Sequence, residues 1–465
     1  MADDAHEIRR INWGECFGFL HLFRAFRLAL SPQRLLLAFA GLAAIYLVGR
    51  AMDLVWMQNA RPVVIAGSTG GPGDEFQIFL ASGGDVARAR DLITALTPRG
   101  GSGVVRKGVF EIVLHQSRVI TNELTASAMT FDIPGVLGTI IKAGRLKLWL
   151  LKMHTGFAIV FFLAGLAIWA LFGGALARHL ALDFARDEKI GVLEALRFSR
   201  EKFLSFLAAP LFPAGFVALF TGVLALGGAL GAIPYFGELA VGLGFVLALF
   251  IGFLAALAVV GGVGGGWLMY PAIAVEGSDS FDGVQRAYAY VAQRPWRLGF
   301  YTLASMAYGA ICITFVKMMA RLLLVLVFAG LGATMNLDHV AVKGGSVGKL
   351  EAMWQGPTLE PGTVAFTGAF DQHANLGRAE TLSQYFIRGW IYCLATLVGA
   401  FAVTLATASS TLIYFLLRRD VDATAFDDIY LDDFGTAPAP TAAAPGPSAP
   451  AAPGTKASLP ILGQK

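Results

Sequence analysis

The chain has 465 residues, 56% of them hydrophobic and only 15% charged, with a mean hydropathy of +0.64. Soluble domains carry roughly 25% charged residues, so this composition excludes a water-soluble fold of this length. A net charge of +4 gives no electrostatic reason to expect nucleic acid as a partner.

Apolar runs of about 18 or more residues are long enough to cross a ~30 Å hydrocarbon core. No backbone polar group can stay unpaired in lipid, so such runs form helices. Six lie near 35–57, 153–177, 206–231, 239–270, 298–333 and 385–417. They predict an all-α integral membrane protein with six transmembrane helices and a small extracytoplasmic α/β or α segment.

Residues 1–34 are mixed in charge (Asp3, Asp4, Glu7, Arg9, Arg10) and long for a secretory signal, so span 35–57 reads as an uncleaved anchor. Within them Phe23–Leu30 is amphipathic, with Arg24 and Arg27 on its polar side, and Ser31-Pro32 breaks it. Segment 58–148 is the extracytoplasmic domain. Pro62–Ala66 reads as a strand, and Asp85–Leu96 and Val109–Met129 as amphipathic helices. The Gly-rich turn Gly67–Gly73 lacks a lysine and is not a phosphate loop.

Segment 149–205 holds the second span and a surface helix, 206–270 the third and fourth spans, and 271–297 a second surface helix. Two stretches here look alike, about 92 residues apart, and a repeat of this kind defines the building unit. Gly173-Gly174-Ala175-Leu176 leads to Gly191–Phe198, and Gly265-Gly266-Trp267-Leu268 leads to Gly283–Tyr290. Each unit is a span, a surface helix and a returning span. In the first helix Val192, Leu193, Leu196, Ser199 and Phe203 share a face, with Glu194, Arg197, Arg200 and Glu201 opposite. Arg197 and Glu201 stand at i,i+4 pairing distance. The second sets Val284, Ala287, Tyr288 and Val291 against Gln285, Arg286 and Gln293. Ser280 is its expected N-cap, with Asp282 in the first turn. With Phe23–Leu30 as a weaker third copy, these helices form a basic, aromatic collar at headgroup depth. Arg24, Arg27, Arg197, Arg200, Arg286, Arg294 and Trp296 are its candidate contacts with lipid, possible anionic headgroups or a partner.

Gly227 and Gly231, Gly261 and Gly265, and Gly262 and Gly266 are small-xxx-small pairs that let helices approach closely in a membrane. Span 298–333 carries Lys317 and Arg321 near its outer end. Arg50 and Asp53 read as an interfacial pair, and Lys152, His154 and Glu238 also sit at span ends. None is central, which argues against an ion-coupled transporter. Loop 334–384 contains Gly344–Lys349, which lacks the first Gly and the Ser or Thr of a nucleotide loop. Asp338-His339 and Asp371-Gln372-His373 match no established metal spacing. Cys16, Cys312 and Cys393 lie far apart and read as small packing residues. No catalytic residue, cofactor or metal ligand is expected.

After the sixth span (385–417), residues 418–465 form a tail. Asp420–Asp433 is acidic with Phe426, Ile429, Tyr430 and Leu431 embedded, and Thr436–Pro453 is mostly Ala and Pro. Too poor in large apolar residues to build a core, it reads as a disordered cytoplasmic tail. The four embedded residues are candidate docking anchors for the basic collar or for a protein partner. Lys and Arg flank the first, second, fourth and sixth spans on one side, which places both termini in the cytoplasm of a multi-pass cell-membrane protein.

Pro271–Gly277, then Ala287, then Arg294-Pro295-Trp296-Arg297-Leu298 resembles a pattern in bacterial polytopic proteins. These are related to the membrane domain attached to some glycerophosphodiester phosphodiesterases. The resemblance covers 170–310 and implies a helical membrane module with no established activity. No counterpart of the phosphodiesterase catalytic domain is present. The expected function is therefore non-enzymatic, a membrane scaffold or membrane-organising protein. The alternative is a transporter or permease using a cavity between the two repeats.

Overall fold

The computed structural model describes residues 18–56, 63–65, 74–96, 104–342, 345–354 and 376–431. Among them are six helices long and apolar enough to cross a membrane: Pro32–Val55, Thr155–Arg186, Leu211–Gly231, Phe245–Glu276, Pro295–Met335 and Arg378–Asp422. The chain is thus a multi-pass, predominantly helical membrane protein. It divides after Ile429, and Tyr430–Lys465 forms a separate short unit to which the candidate anchors Tyr430 and Leu431 belong.

A 3₁₀ turn, Gly18–Phe23, leads into α1 (Arg24–Ala29). Pro32 then opens α2 (Pro32–Val55), where a missing N–H leaves no intrahelical bond unmade. Strand β1 (Val63–Ile65) pairs antiparallel with β2 (Val104–Arg106). In between lie α3 (Glu75–Ala81) and α4 (Val86–Leu96); Asp74 caps α3 by accepting from the Gln77 N–H at 2.9 Å. Next come α5 (Val109–Met129) and α6 (Ile133–Met153), packed on each other. The helix at 133–153 goes unread in the sequence because Pro134, three glycines and four basic residues interrupt its apolar pattern.

After a one-residue break at His154, α7 (Thr155–Arg186) runs to a left-handed cap at Asp187. Two short helices follow, α8 (Val192–Glu201) and α9 (Phe203–Ala208), then α10 (Leu211–Gly231). The next turn needs glycine: a Cβ on Gly237 would lie 2.1 Å from the Leu230 carbonyl oxygen. The expected fourth span is segmented into α11 (Phe236–Leu243), α12 (Phe245–Gly265), a 3₁₀ turn at Gly266–Leu268, and α13 (Met269–Glu276). Gly277 closes α13 in the left-handed conformation, which only glycine adopts without steric cost. The chain continues through α14 (Ser280–Gln293) and α15 (Pro295–Met335). A hairpin, β3 (His339–Val342) and β4 (Gly345–Gly348), precedes α16 (Lys349–Met353) and α17 (Arg378–Asp422).

Helices α2, α7 and α17 pack pairwise, with α13 against α7 and α15 against α17. The larger core gathers where α1, α8 and α14 meet the ends of α7, α13 and α17, around Leu28, Leu176, Phe206, Ile273 and Leu412. A second core of Phe76, Phe79, Phe110, Trp149 and Phe157 lies at the other end of α7. Each such fully buried side chain contributes about 1.5–3 kcal/mol. By contrast α10 has no buried residue. With α12 it exposes Leu226, Val246 and Phe253 at 58–76%, a face suited to lipid rather than water.

Several expectations change. Asp279, not Ser280, caps α14, accepting from the Asp282 N–H at 3.1 Å, because its extended backbone stands just before the first helical turn, in which Ser280 already lies. Leu193 is 83% exposed. The other residues of the expected face do turn inward, Ser199 buried and Val192, Leu196 and Phe203 packed against the core, and Ala195 and Phe198 join them. Asp53 and Arg50 attract each other as expected, but each also has a further partner. Asp53 accepts from the backbone N–H groups of Phe110 and Glu111 at 2.9 and 3.2 Å, capping α5 across 57 residues, while Arg50 turns to Tyr46 and Glu111. Cys312 is buried but Cys393 is exposed.

Candidate functional site

The surface-helix end of the bundle holds two buried ion networks. In the first, Arg34 is 1% exposed and donates to the Leu28 carbonyl and to Asp183. Its Nε also reaches His179 Nδ1 at 3.1 Å. His179 Nε2 faces Gln33 Oε1 at 2.9 Å. An imidazole nitrogen that accepts from a guanidinium cannot carry a proton, so His179 is neutral with its hydrogen on Nε2. The network ties the first turn of α2 to the last turns of α7.

In the second network Glu276, the final residue of α13, meets Arg418 Nε at 2.8 Å and Arg286 Nη1 at 3.5 Å. The Tyr414 hydroxyl donates to the same carboxylate at 2.9 Å. Beside it the Tyr290 hydroxyl donates to Asp422 at 2.6 Å. Burial, reinforced by that carboxylate, raises the Tyr290 hydroxyl well above its ordinary pKa. Arg178 joins three elements: it donates to the Ala274 carbonyl at 2.9 Å and its guanidinium carbon lies 4.5 Å from the Phe198 ring centroid. Buried charges of this kind persist only when paired, since each unpaired ion costs several kcal/mol. A cleft of about 270 Å³ borders this network, lined by Asp282, Gln285, Arg286, Tyr290, Gln293 and Asp422.

Outside these networks the collar residues divide. Arg197 pairs with Glu201 at 3.5 Å, and Arg200 and Arg294 are exposed. Trp296 is 89% exposed. Arg24 and Arg27 approach Asp187 at 3.9 and 4.0 Å, and Arg24 lies over the Phe184 ring. Arg286 is a correction: it turns inward to Glu276 and Asp282, because Glu276 sits directly beneath α14. Arg34, Arg178 and Arg418 count in the sequence only as charges flanking spans, yet all three are buried. The one available signal is an acid or base set among apolar residues near a span end, as Arg178 and Asp183 are.

The glycine pairs divide too. A Cβ on Gly261 would fall 2.0 Å from the Tyr288 ring, one on Gly262 2.9 Å from Pro213, and one on Gly265 3.1 Å from the Ala287 carbonyl oxygen. Gly231 faces Val241 at 3.0 Å, while Gly227 and Gly266 face open space. Among the described residues these last two are not packing positions, because no atom lies within 4 Å of where either Cβ would be.

Beyond α17 the chain reverses at Ala423, in the left-handed conformation at φ 53. Phe426 then packs edge-on against His21 and Phe184, ring centroids 5.4 and 5.6 Å apart, with Arg419 4.6 Å above it. Ile429 is 6% exposed, and the Arg418 guanidinium donates to the Asp428 carbonyl. The anchor segment therefore closes onto its own bundle end through Phe426 and Ile429.

Among the described residues no three His, Cys, Asp or Glu side chains converge as a metal site; Asp371–His373 lie outside those residues. His339 bonds to the Leu337 carbonyl two residues away. No family model, curated protein or solved structure matches the chain.

Proposed function

We propose that the protein is a non-enzymatic membrane scaffold whose working face is the surface-helix end, lying in the cytoplasmic headgroup layer with both termini on that side. The observation that carries this reading is the company kept by the exposed cations. Trp296 and Leu193 are 89% and 83% exposed beside exposed Arg197, Arg200 and Arg294. Large apolar side chains with this exposure are disfavoured in water, but at a bilayer interface they are anchors. Each basic residue there attracts anionic lipid by about 1 kcal/mol. The two repeat units would supply α8 and α14 as paired interfacial helices, with α1 beside them.

Packing between and within the units supports this reading over a permease: the Phe206 ring of the first lies 5.1 Å from the Tyr270 ring of the second, and Arg178 donates across to the Ala274 carbonyl. The Tyr288 ring fills the notch at Gly261, and its hydroxyl donates to the Ala258 carbonyl at 2.7 Å. Within the first unit Phe206 and Ser199 close the notch at Gly174. Proteoliposomes containing phosphatidylglycerol test the proposal. Fluorescent phosphatidylglycerol is expected to be enriched around the protein, and replacing Arg197, Arg200 and Arg294 by Gln to reduce that enrichment. Saturable solute flux, or enrichment indifferent to the three substitutions, would overturn it.

A further inference from the structure

Helix α6 presents an apolar stripe that none of the described residues covers. Ile133, Leu137, Ile140, Ile141, Leu148 and Leu151 are each 40–58% exposed and recur at helical spacing. Its other face is buried through Val136, Leu146, Trp149 and Leu150. Such a stripe in a water-exposed domain would be an aggregation liability. The packing of the hairpin α5–α6 places it elsewhere. Asn122 of α5 accepts from Lys317 of α15 at 2.8 Å, and Thr314 of α15 contacts Met129 at 3.2 Å. At 1.5 Å rise per residue, Thr314 and Lys317 lie about 25 and 30 Å along α15 from Arg297. That distance is the far edge of a hydrocarbon core whose near edge is at Arg297. The α5–α6 corner, with Phe131 66% exposed, therefore sits at the level of the far leaflet.

At that level α5, α6 and α7 enclose a crevice of about 310 Å³. Val113, Ile120, Leu146, Leu150, Phe161 and Phe162 make its walls apolar, and Lys147 is the one charged residue lining it. Phe161 and Phe162 lie about 10 Å along α7 from its start, the depth of acyl chains. Lys147 has no carboxylate partner among the described residues, whereas its neighbour Lys142 is paired with Glu123 at 2.6 Å.

We propose that this crevice binds one acyl chain of a membrane phospholipid whose phosphate is held by Lys147. The site joins apolar walls, an unpaired cation at the mouth and an exposed apolar stripe alongside, which is the layout of a phospholipid rather than of a soluble ligand. It rests on the membrane reading of the chain and not on the scaffold role, so a flux result leaves it standing.

Photocrosslinking in nanodiscs tests it, using a phosphatidylglycerol that carries a diazirine in one acyl chain, with mapping of the labelled peptides. Wild type is expected to concentrate label on Phe161, Phe162 and the facing residues of α5. Ala143→Trp, which fills the crevice, should reduce that label about tenfold or more. Lys147→Gln should weaken it about fivefold, the attraction one basic residue exerts on anionic lipid. Ser117→Trp intrudes from the opposite wall and replaces Ala143→Trp should the latter fail to fold. A filled variant that elutes and melts as wild type yet keeps full labelling would overturn the site. So would label spread evenly over the exposed faces of α6 and α10, the mark of bulk lipid only.

Discussion

Single side chains decide the surface-helix end because they are buried as ions. Glu276 serves Arg418, Arg286 and Tyr414 at once, so removing it leaves Arg286 with Asp282 alone and Arg418 with only the more exposed Asp428 at 3.6 Å. Removing one partner of a buried pair costs about 3–5 kcal/mol, whereas replacing both by apolar groups of like volume is often neutral. Glu276→Ala and Arg418→Ala should each lower the thermal unfolding midpoint in detergent markedly. The double variant Glu276→Leu/Arg418→Met should recover much of the loss. A double variant no better than the worse single one would mean that Arg286 and Tyr414, not Arg418, set the cost. None of this pairing is readable from one sequence. Arg34 and Asp183 are separated by 149 residues, Arg418 and Glu276 by 142, and only the folded chain reveals who meets whom.

For helices the contrast lies between glycines of identical sequence appearance. Gly261 has an aromatic ring where its Cβ would be, while Gly227 has open space. Overpacking costs about 1–3 kcal/mol, and Gly to Ala in an open helical position gains about 1 kcal/mol in helix propensity. Gly261→Ala should therefore destabilise and Gly227→Ala should stabilise, as denaturation midpoints of the two variants will show; equal shifts would contradict the packing described. The spacing of small residues proposes an interface but does not say which side is met. Element position was legible where periodicity was uninterrupted: Val109–Met129 has the expected bounds. It failed where Gly, Pro and Lys broke the pattern, as in α6. On α8, short and amphipathic, the expected face turns inward except at Leu193, and the bundle also buries Ala195 and Phe198.

At the scale of the molecule, the two cores hold opposite ends of the bundle, and the stretch beyond α17 belongs to one of them. The sequence marks Phe426, Ile429, Tyr430 and Leu431 alike as anchors in an acidic run. In the structure the closure is made by Phe426 and Ile429, with Arg186 donating to the Asp427 carbonyl at 3.4 Å. Edge-on aromatic contacts contribute about 0.5–1.5 kcal/mol each beyond burial, and a left-handed Ala423 costs roughly 1–2 kcal/mol. The aromatic anchor thus has to outweigh a strained reversal, and losing it should free the segment. Phe426→Ala is expected to accelerate trypsin cleavage at Arg186 and Arg419 in proteoliposomes. Ala423→Gly, which relieves the reversal, should slow it below the wild-type rate. Removing residues 434–465 should leave the cleavage pattern as it is, because the contacts that close the end lie before them. Should that truncation open Arg419 as fully as Phe426→Ala does, the closure would depend on the longer tail and not on the aromatic anchor.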